Sequence, residues 1–109
     1  MSLQKIVEAV RTLIVHEERC VSEKYCEFVF ENTEIDKLKE VFLPLLGPPE
    51  KPAGKDPLNE HLQLTKEYGG IRANQTLFKK DFDHCLVIAM LWPWQNNLYT
   101  TLKITLIGK

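Results

Sequence analysis

The sequence predicts an α+β domain: a two-layer sandwich whose mainly antiparallel four-stranded sheet carries helices on one face, in the order α-β-α-α-β-β-β. Three observations lead there. The end of the chain reads as two strands, residues 84–92 and 98–107, joined through 93–97. Apolar residues recur at helical spacing near the N-terminus and again around Phe42. Between them, residues 25–30 alternate at strand spacing. Amphipathic helices and half-apolar strands in one short chain bury their faces against each other.

The final pair is legible residue by residue, because a strand sends successive side chains to opposite faces. Leu98, Thr100, Leu102, Ile104 and Leu106 share one face, and Tyr99, Thr101, Lys103, Thr105 and Ile107 the other. In the preceding strand His84, Leu86, Ile88, Met90 and Trp92 alternate with Cys85, Val87, Ala89 and Leu91, so both faces are apolar. Such a strand belongs at the centre of the sheet, covered on both sides.

Residues 2–19 read as a first helix with Leu3, Ile6, Val7, Val10, Leu13 and Ile14 on one face, Ser2 as N-cap, and Lys5, Glu8, Arg11 and Thr12 in water. In the strand at 25–30, Cys26, Phe28 and Phe30 oppose Tyr25, Glu27 and Val29. Asn32 or Thr33 then caps a second helix, with Glu34 and Asp36 in its first turn and a stripe of Ile35, Leu38, Phe42 and Leu45 or Leu46. Pro44 limits its regular part, and Gly47-Pro48-Pro49 ends it.

Residues 47–56, rich in proline and glycine, form a long surface loop within a single domain of residues 1–109, since neither flank has enough chain for its own core. Asp56-Pro57 opens a third helix and Gly69-Gly70 closes it, with Leu58, His61, Leu62 and Thr65 on one face. A strand over 61–65 competes, but the two ends favour the helix. Residues 71–78 then alternate as a strand. A four-residue turn at 79–82 places Ile71, Ala73, Gln75 and Leu77 beside Leu86, Ile88 and Met90, and a one-residue slip exchanges the faces.

The last hairpin carries the same ambiguity. A five-residue loop at 93–97 sets Leu86, Ile88, Met90 and Trp92 with Leu102 and Ile104; a two-residue Asn96-Asn97 turn sets Val87, Ala89 and Leu91 there instead. Pro93, which cannot donate to a ladder, favours the longer loop.

Charge is nearly balanced, 14 basic against 15 acidic residues, and no basic cluster interleaves with aromatics, so nucleic acid is not an expected partner. The longest apolar run, 86–92, falls short of the ~18 residues of a membrane span, and no signal peptide opens the chain; no membrane partner is expected and the expected location is cytoplasmic. Cys20, Cys26 and Cys85 are odd in number and lack framework spacing, which fits free thiols.

Candidate chemistry is sparse. His16 and Cys20, four apart on the expected first helix, share a side and could join Cys26, His84 or Cys85 as zinc ligands; the secondary metal reading is His16, Cys20 and Cys26. Buried thiols and ordinary histidines explain the same residues. A thiol nucleophile at Cys85 is opposed by strand geometry, since His84 points to the other face; Cys26 would need His16 or His84 brought to it. Glu27, Glu31, Asp81 and Asp83 are the acid–base candidates, more simply read as surface and turn carboxylates. Gly69-Gly70 lacks the further glycines and lysine of a phosphate loop. No cofactor is expected.

The second face of the sheet is the most suggestive feature. In the preferred registers it carries Arg72, Asn74, Thr76, Phe78, Cys85, Val87, Leu91, Tyr99, Thr101 and Lys103, an apolar middle in a polar rim. So much apolar surface calls for a cover: a second copy of the chain, a ligand, or the third helix and loop. Trp92 reads as core beneath a helix end, while Trp94 at the hairpin tip is either surface or binding anchor.

The expectation is therefore a small non-catalytic binding or assembly module, homodimeric through Val87 and Leu91, with Arg72, Phe78, Trp94, Tyr99 and Lys103 as further interface or ligand residues. The alternative is a small-molecule-binding protein or small enzyme, in which Arg72, Tyr99 and Lys103 hold an anionic ligand between sheet and proline-rich loop. A zinc-containing structural domain is the third possibility.

Overall fold

A computed structural model describes residues 3–108. The chain is α+β, with five strands in one antiparallel sheet and three α-helices among the described residues. The helices are α1 (Gln4–Val10), α2 (Ile35–Leu46) and α3 (Asn59–Thr65), and the strands are β1 (Glu17–Val21), β2 (Tyr25–Glu31), β3 (Thr76–Phe82), β4 (Cys85–Pro93) and β5 (Tyr99–Gly108). They lie in the order β1-β2-β5-β4-β3. No helix among the described residues is long and apolar enough to cross a membrane.

The first helix is shorter than its spacing predicts. Ile6, Val7 and Val10 are buried, but Thr12 Oγ1 donates to the Ala9 carbonyl at 2.6 Å and the chain leaves the helix there. Ile14, a member of the expected stripe, is 72% exposed, while Leu13 and Val15 pack toward the core on either side of it. That alternation, with β-branched Thr12, Ile14 and Val15, suits extended chain better than helix. The segment continues into β1, whose five residues are all exposed. An ion pair from Arg11 to Glu18 at 2.8 Å ties β1 back to α1. The expected cap, Ser2, lies outside the described residues.

The second helix follows its expected stripe, with Leu38, Phe42 and Leu46 buried. It continues past Pro44, and the Gly47 N–H donates to Leu43 O at 3.0 Å from a backbone with φ +80°. The third helix starts later than Asp56-Pro57 predicts. His61 Nδ1 accepts the Leu58 N–H at 3.0 Å, so the side chain of His61 supplies the cap. Its other end is closed by Thr65, whose hydroxyl accepts the Ile71 N–H at 2.9 Å, ahead of Gly69 and Gly70, both at positive φ.

The last hairpin takes the register of the two-residue Asn96-Asn97 turn, not the five-residue loop expected from Pro93. Leu91 pairs Leu102, Ala89 pairs Ile104 and Val87 pairs Leu106. The strands run on past Pro93: Trp94 N–H donates to Tyr99 O at 2.8 Å, and residues 95–98 turn with Asn97 at φ 59°. Opposed residues of an antiparallel ladder are hydrogen-bonded only at alternate pairs, and Trp94–Tyr99 being one, Pro93–Thr100 is not. On its other side β3 reaches only to Leu91, so the missing N–H of Pro93 leaves no gap. In the β3–β4 hairpin Leu77 does face the same way as Leu86, Ile88 and Met90, but the turn is Asp83-His84 and not residues 79–82.

These registers give two cores. On the first face Cys26, Phe28, Phe30, Phe78, Val87, Ala89, Leu91, Leu102 and Ile104 lie beneath α1 and α2. On the second, Leu77, Ile88 and Met90 meet Ile71, Leu64 of α3 and Tyr68. The sheet is thus five-stranded with helices on both faces, where four strands with helices on one face were expected. Its doubly apolar central strand, β4, requires that second cover.

The proline-rich loop is fixed to the sheet at Lys51. Its backbone bridges Leu77 at the free edge of β3, and its buried Nζ donates to the carbonyls of Pro52, Ala73 and Gln75. Burial, the larger effect, lowers the pKa of this ammonium from the ordinary lysine value, with Asp56 acting against the shift.

Candidate functional site

The register of β4 divides the surface expected from the sequence. Phe78, Val87 and Leu91 are in the first core, at most 2% exposed, and Thr76 and Cys85 are buried on the same side. They are packed by the chain's own helices and present nothing to a partner. Arg72 and Asn74 lie before β3 rather than in it, both exposed. Tyr99, Thr101 and Lys103 keep the second face, opposite Glu31, Val29 and Glu27 of β2.

The α3 layer covers that face over β3 and β4. Over β2 and β5 no helix packs among the described residues, and a row of side chains takes its place. The His16 ring meets Tyr99 at 4.6 Å between centroids, Tyr99 meets Trp94 at 5.0 Å, and the Arg19 guanidinium lies 5.5 Å from the Trp94 ring. Each ring is fixed by its neighbours. Trp94 Nε1 also donates to Thr101 Oγ1 at 2.8 Å, which orients the indole on the strand.

Charges are interleaved with the rings. Glu27 accepts the Tyr25 hydroxyl at 2.7 Å and lies 3.5 Å from Arg19, which also pairs Glu17 at 3.0 Å. Burial, then the bond to Glu27, holds the Tyr25 phenol protonated well above the ordinary tyrosine range. Lys103 stands opposite Glu27, yet its Nζ rests 3.6 Å from the centre of the Trp92 ring.

Next to this row, around Trp92 and Trp94, is a concavity of about 460 Å³ bounded also by Arg72, Asn74, Gln95 and Thr101. It brings together two of the sequence candidates, Arg72 and Trp94. No aspartate or glutamate lines it.

The proposed zinc ligands do not converge. Cys20 is exposed opposite Glu27, so it lies on the face away from Cys26, which is buried in the first core. His16, predicted to share a helix with Cys20, lies in the extended chain before β1 and stacks on Tyr99. The Cys26 thiol donates to Ser22 O at 3.4 Å, and burial raises its pKa, the reverse of what an activated nucleophile needs. Cys85 is buried, with His84 in the adjoining turn. The carboxylates Glu27 and Glu31 of β2 are separated from Asp81 of β3 by two intervening strands.

One cluster has no counterpart among the sequence candidates. Buried His61 presents Nε2, without a hydrogen-bond partner among the described residues, 3.6 Å from Glu50 and 4.0 Å from Glu60. The three are ligand types for a metal, but Nδ1 accepts the Leu58 N–H and therefore holds a lone pair. The proton of the neutral ring is then on Nε2. A histidine that ligates through one nitrogen normally donates from the other, the opposite arrangement. The geometry is that of an imidazole N–H facing carboxylates. Glu60 is ten positions after Glu50, and nothing in that spacing signals their approach.

No protein-family model matches the chain, and no curated protein or solved structure matches it.

Proposed function

We propose that the protein is a small non-catalytic binding and assembly module that associates with a second copy of itself through the open half of the second sheet face. The observation carrying this reading is the row His16, Tyr99, Trp94 and Arg19, held on a sheet that no helix covers there. Tyrosine, tryptophan and arginine are the residue types that dominate binding energy at protein interfaces. Rings already fixed by their neighbours lose little freedom on docking. A two-fold interface must also be complementary to itself, and this patch holds both signs of charge: Arg19 and Lys103 beside Glu17 and Glu27.

The β1 edge is a poorer surface for pairing. Its strand is short, charged and broken by a register shift between Glu18 and Cys20, all features that blunt edges. Backbone amide spectra recorded over a dilution series test the proposal. Shifts that change with concentration at Tyr99, Trp94 and Arg19 are expected; a spectrum constant over the series rejects self-association through this face.

A further inference from the structure

We propose that the concavity beside Trp92 and Trp94 is a binding site for a small ligand carrying a carboxylate or phosphate group. At about 460 Å³ it has the size of a small organic molecule's site. Its lining favours an anion. The side chains of Arg72, Asn74, Gln95 and Trp92 all offer N–H donors, and no acidic residue opposes them. The guanidinium of Arg72 is exposed and makes no hydrogen bond or ion pair among the described residues. Its planar fork fits an oxyanion with two parallel bonds.

The Trp92 indole adds an independent observation. Its Nε1–H is buried and has no acceptor among the described residues, whereas that of Trp94 is satisfied by Thr101. A buried donor without an acceptor is unfavourable, so a small shift of the ring that lets a ligand oxygen reach it would be offset by the bond it forms. A second positive charge is already close: Lys103 Nζ lies over the Trp92 ring, while Glu27, the carboxylate across from it, is occupied by Tyr25 and Arg19.

The rim of the site is held in place before any ligand arrives. Arg72 N–H donates to Gln75 Oε1 at 2.9 Å, and the carbonyls of Ala73 and Gln75 are both fastened to Lys51 Nζ. Gly54 N–H also reaches Ala73 O, at 2.7 Å. The buried lysine therefore makes the backbone that carries Arg72 rigid, as a binding site requires.

The test uses the chain's two tryptophans, both of which line the site. Their indole N–H resonances are followed while inorganic phosphate, and separately succinate, is added at ionic strength held constant with chloride. A saturable shift is expected, weakened at least tenfold in Arg72→Gln and unchanged in Lys39→Gln, which alters a lysine of α2. Saturation by phosphate alone assigns phosphorylated ligands, and saturation by succinate alone assigns carboxylates. No saturable shift with either anion, or equal affinity in Arg72→Gln, overturns the proposal. Arg72 is outside the row assigned to self-association, so such a failure leaves the dimer to be judged by its own mass.

Discussion

Lys51 shows how one residue can organise a region without any apolar contact. Its ammonium is buried against three carbonyls and makes no ion pair among the described residues. Lys51→Met keeps most of the volume but removes the donor to the Pro52 and Gln75 carbonyls, Ala73 O keeping its bond from Gly54 N–H, and should cost about 2 kcal/mol or more in urea unfolding. Gly69 has a different constraint, backbone φ +103° and an added Cβ 2.3 Å from the Trp92 ring. Gly69→Ala should lower stability by about 1–3 kcal/mol, read as a fall in thermal midpoint. The sequence marks Gly69 as a helix stop, and it caps the 3-10 turn Lys66–Tyr68 that follows α3; its second role against Trp92 depends on a contact between distant residues. Lys51 gives no signal at all, because a lysine among prolines reads as solvated.

Cys26 supplies a pH dependence. Its folded pKa is raised, chiefly by burial, so the unfolded chain loses this proton first as pH rises above about 9. Stability from this group is complete below that pH and declines above it. Cys26→Ala should begin about 1 kcal/mol less stable at neutral pH, for lost packing. The gap to the unsubstituted protein should narrow between pH 9 and 10, measured by urea unfolding at each pH; a constant gap contradicts the assignment.

Elements were legible where their side chains were half buried. The alternation in β2, both faces of β4 and the stripe of α2 all survive in the fold, because burial itself creates those patterns. β1 has no buried residue, so it offered no pattern, and the helical spacing upstream extended over it. The hairpin register failed for a subtler reason. Pro93 excludes itself only from hydrogen-bonded positions, and which positions those are depends on how far both neighbouring strands extend. That single shift moved Val87 and Leu91 from an expected interface into the core. Val87→Asp should therefore unfold the chain, at a cost above about 3 kcal/mol seen by circular dichroism, rather than release a folded monomer. A folded, monomeric Val87→Asp protein would restore the interface reading.

At the scale of the whole molecule, the need to cover a doubly apolar strand explains the architecture. Two helices serve one face; the short third helix reaches only part of the other. What it leaves uncovered is filled by rings and charges in place of aliphatic side chains, and both proposed activities arise there. Of the sequence candidates, Trp94, Tyr99, Lys103 and Arg72 remain at that surface, while the partners His16 and Arg19 were hidden by the mistaken helix. The most direct measurement is light-scattering mass over a concentration series, for the protein and for Arg19→Glu, whose exposed side chain changes without disturbing the core. The unsubstituted protein is predicted to rise from one chain mass to two, and Arg19→Glu to remain at one. A single-chain mass at every concentration, or an undiminished dimer in Arg19→Glu, would contradict assembly through this face.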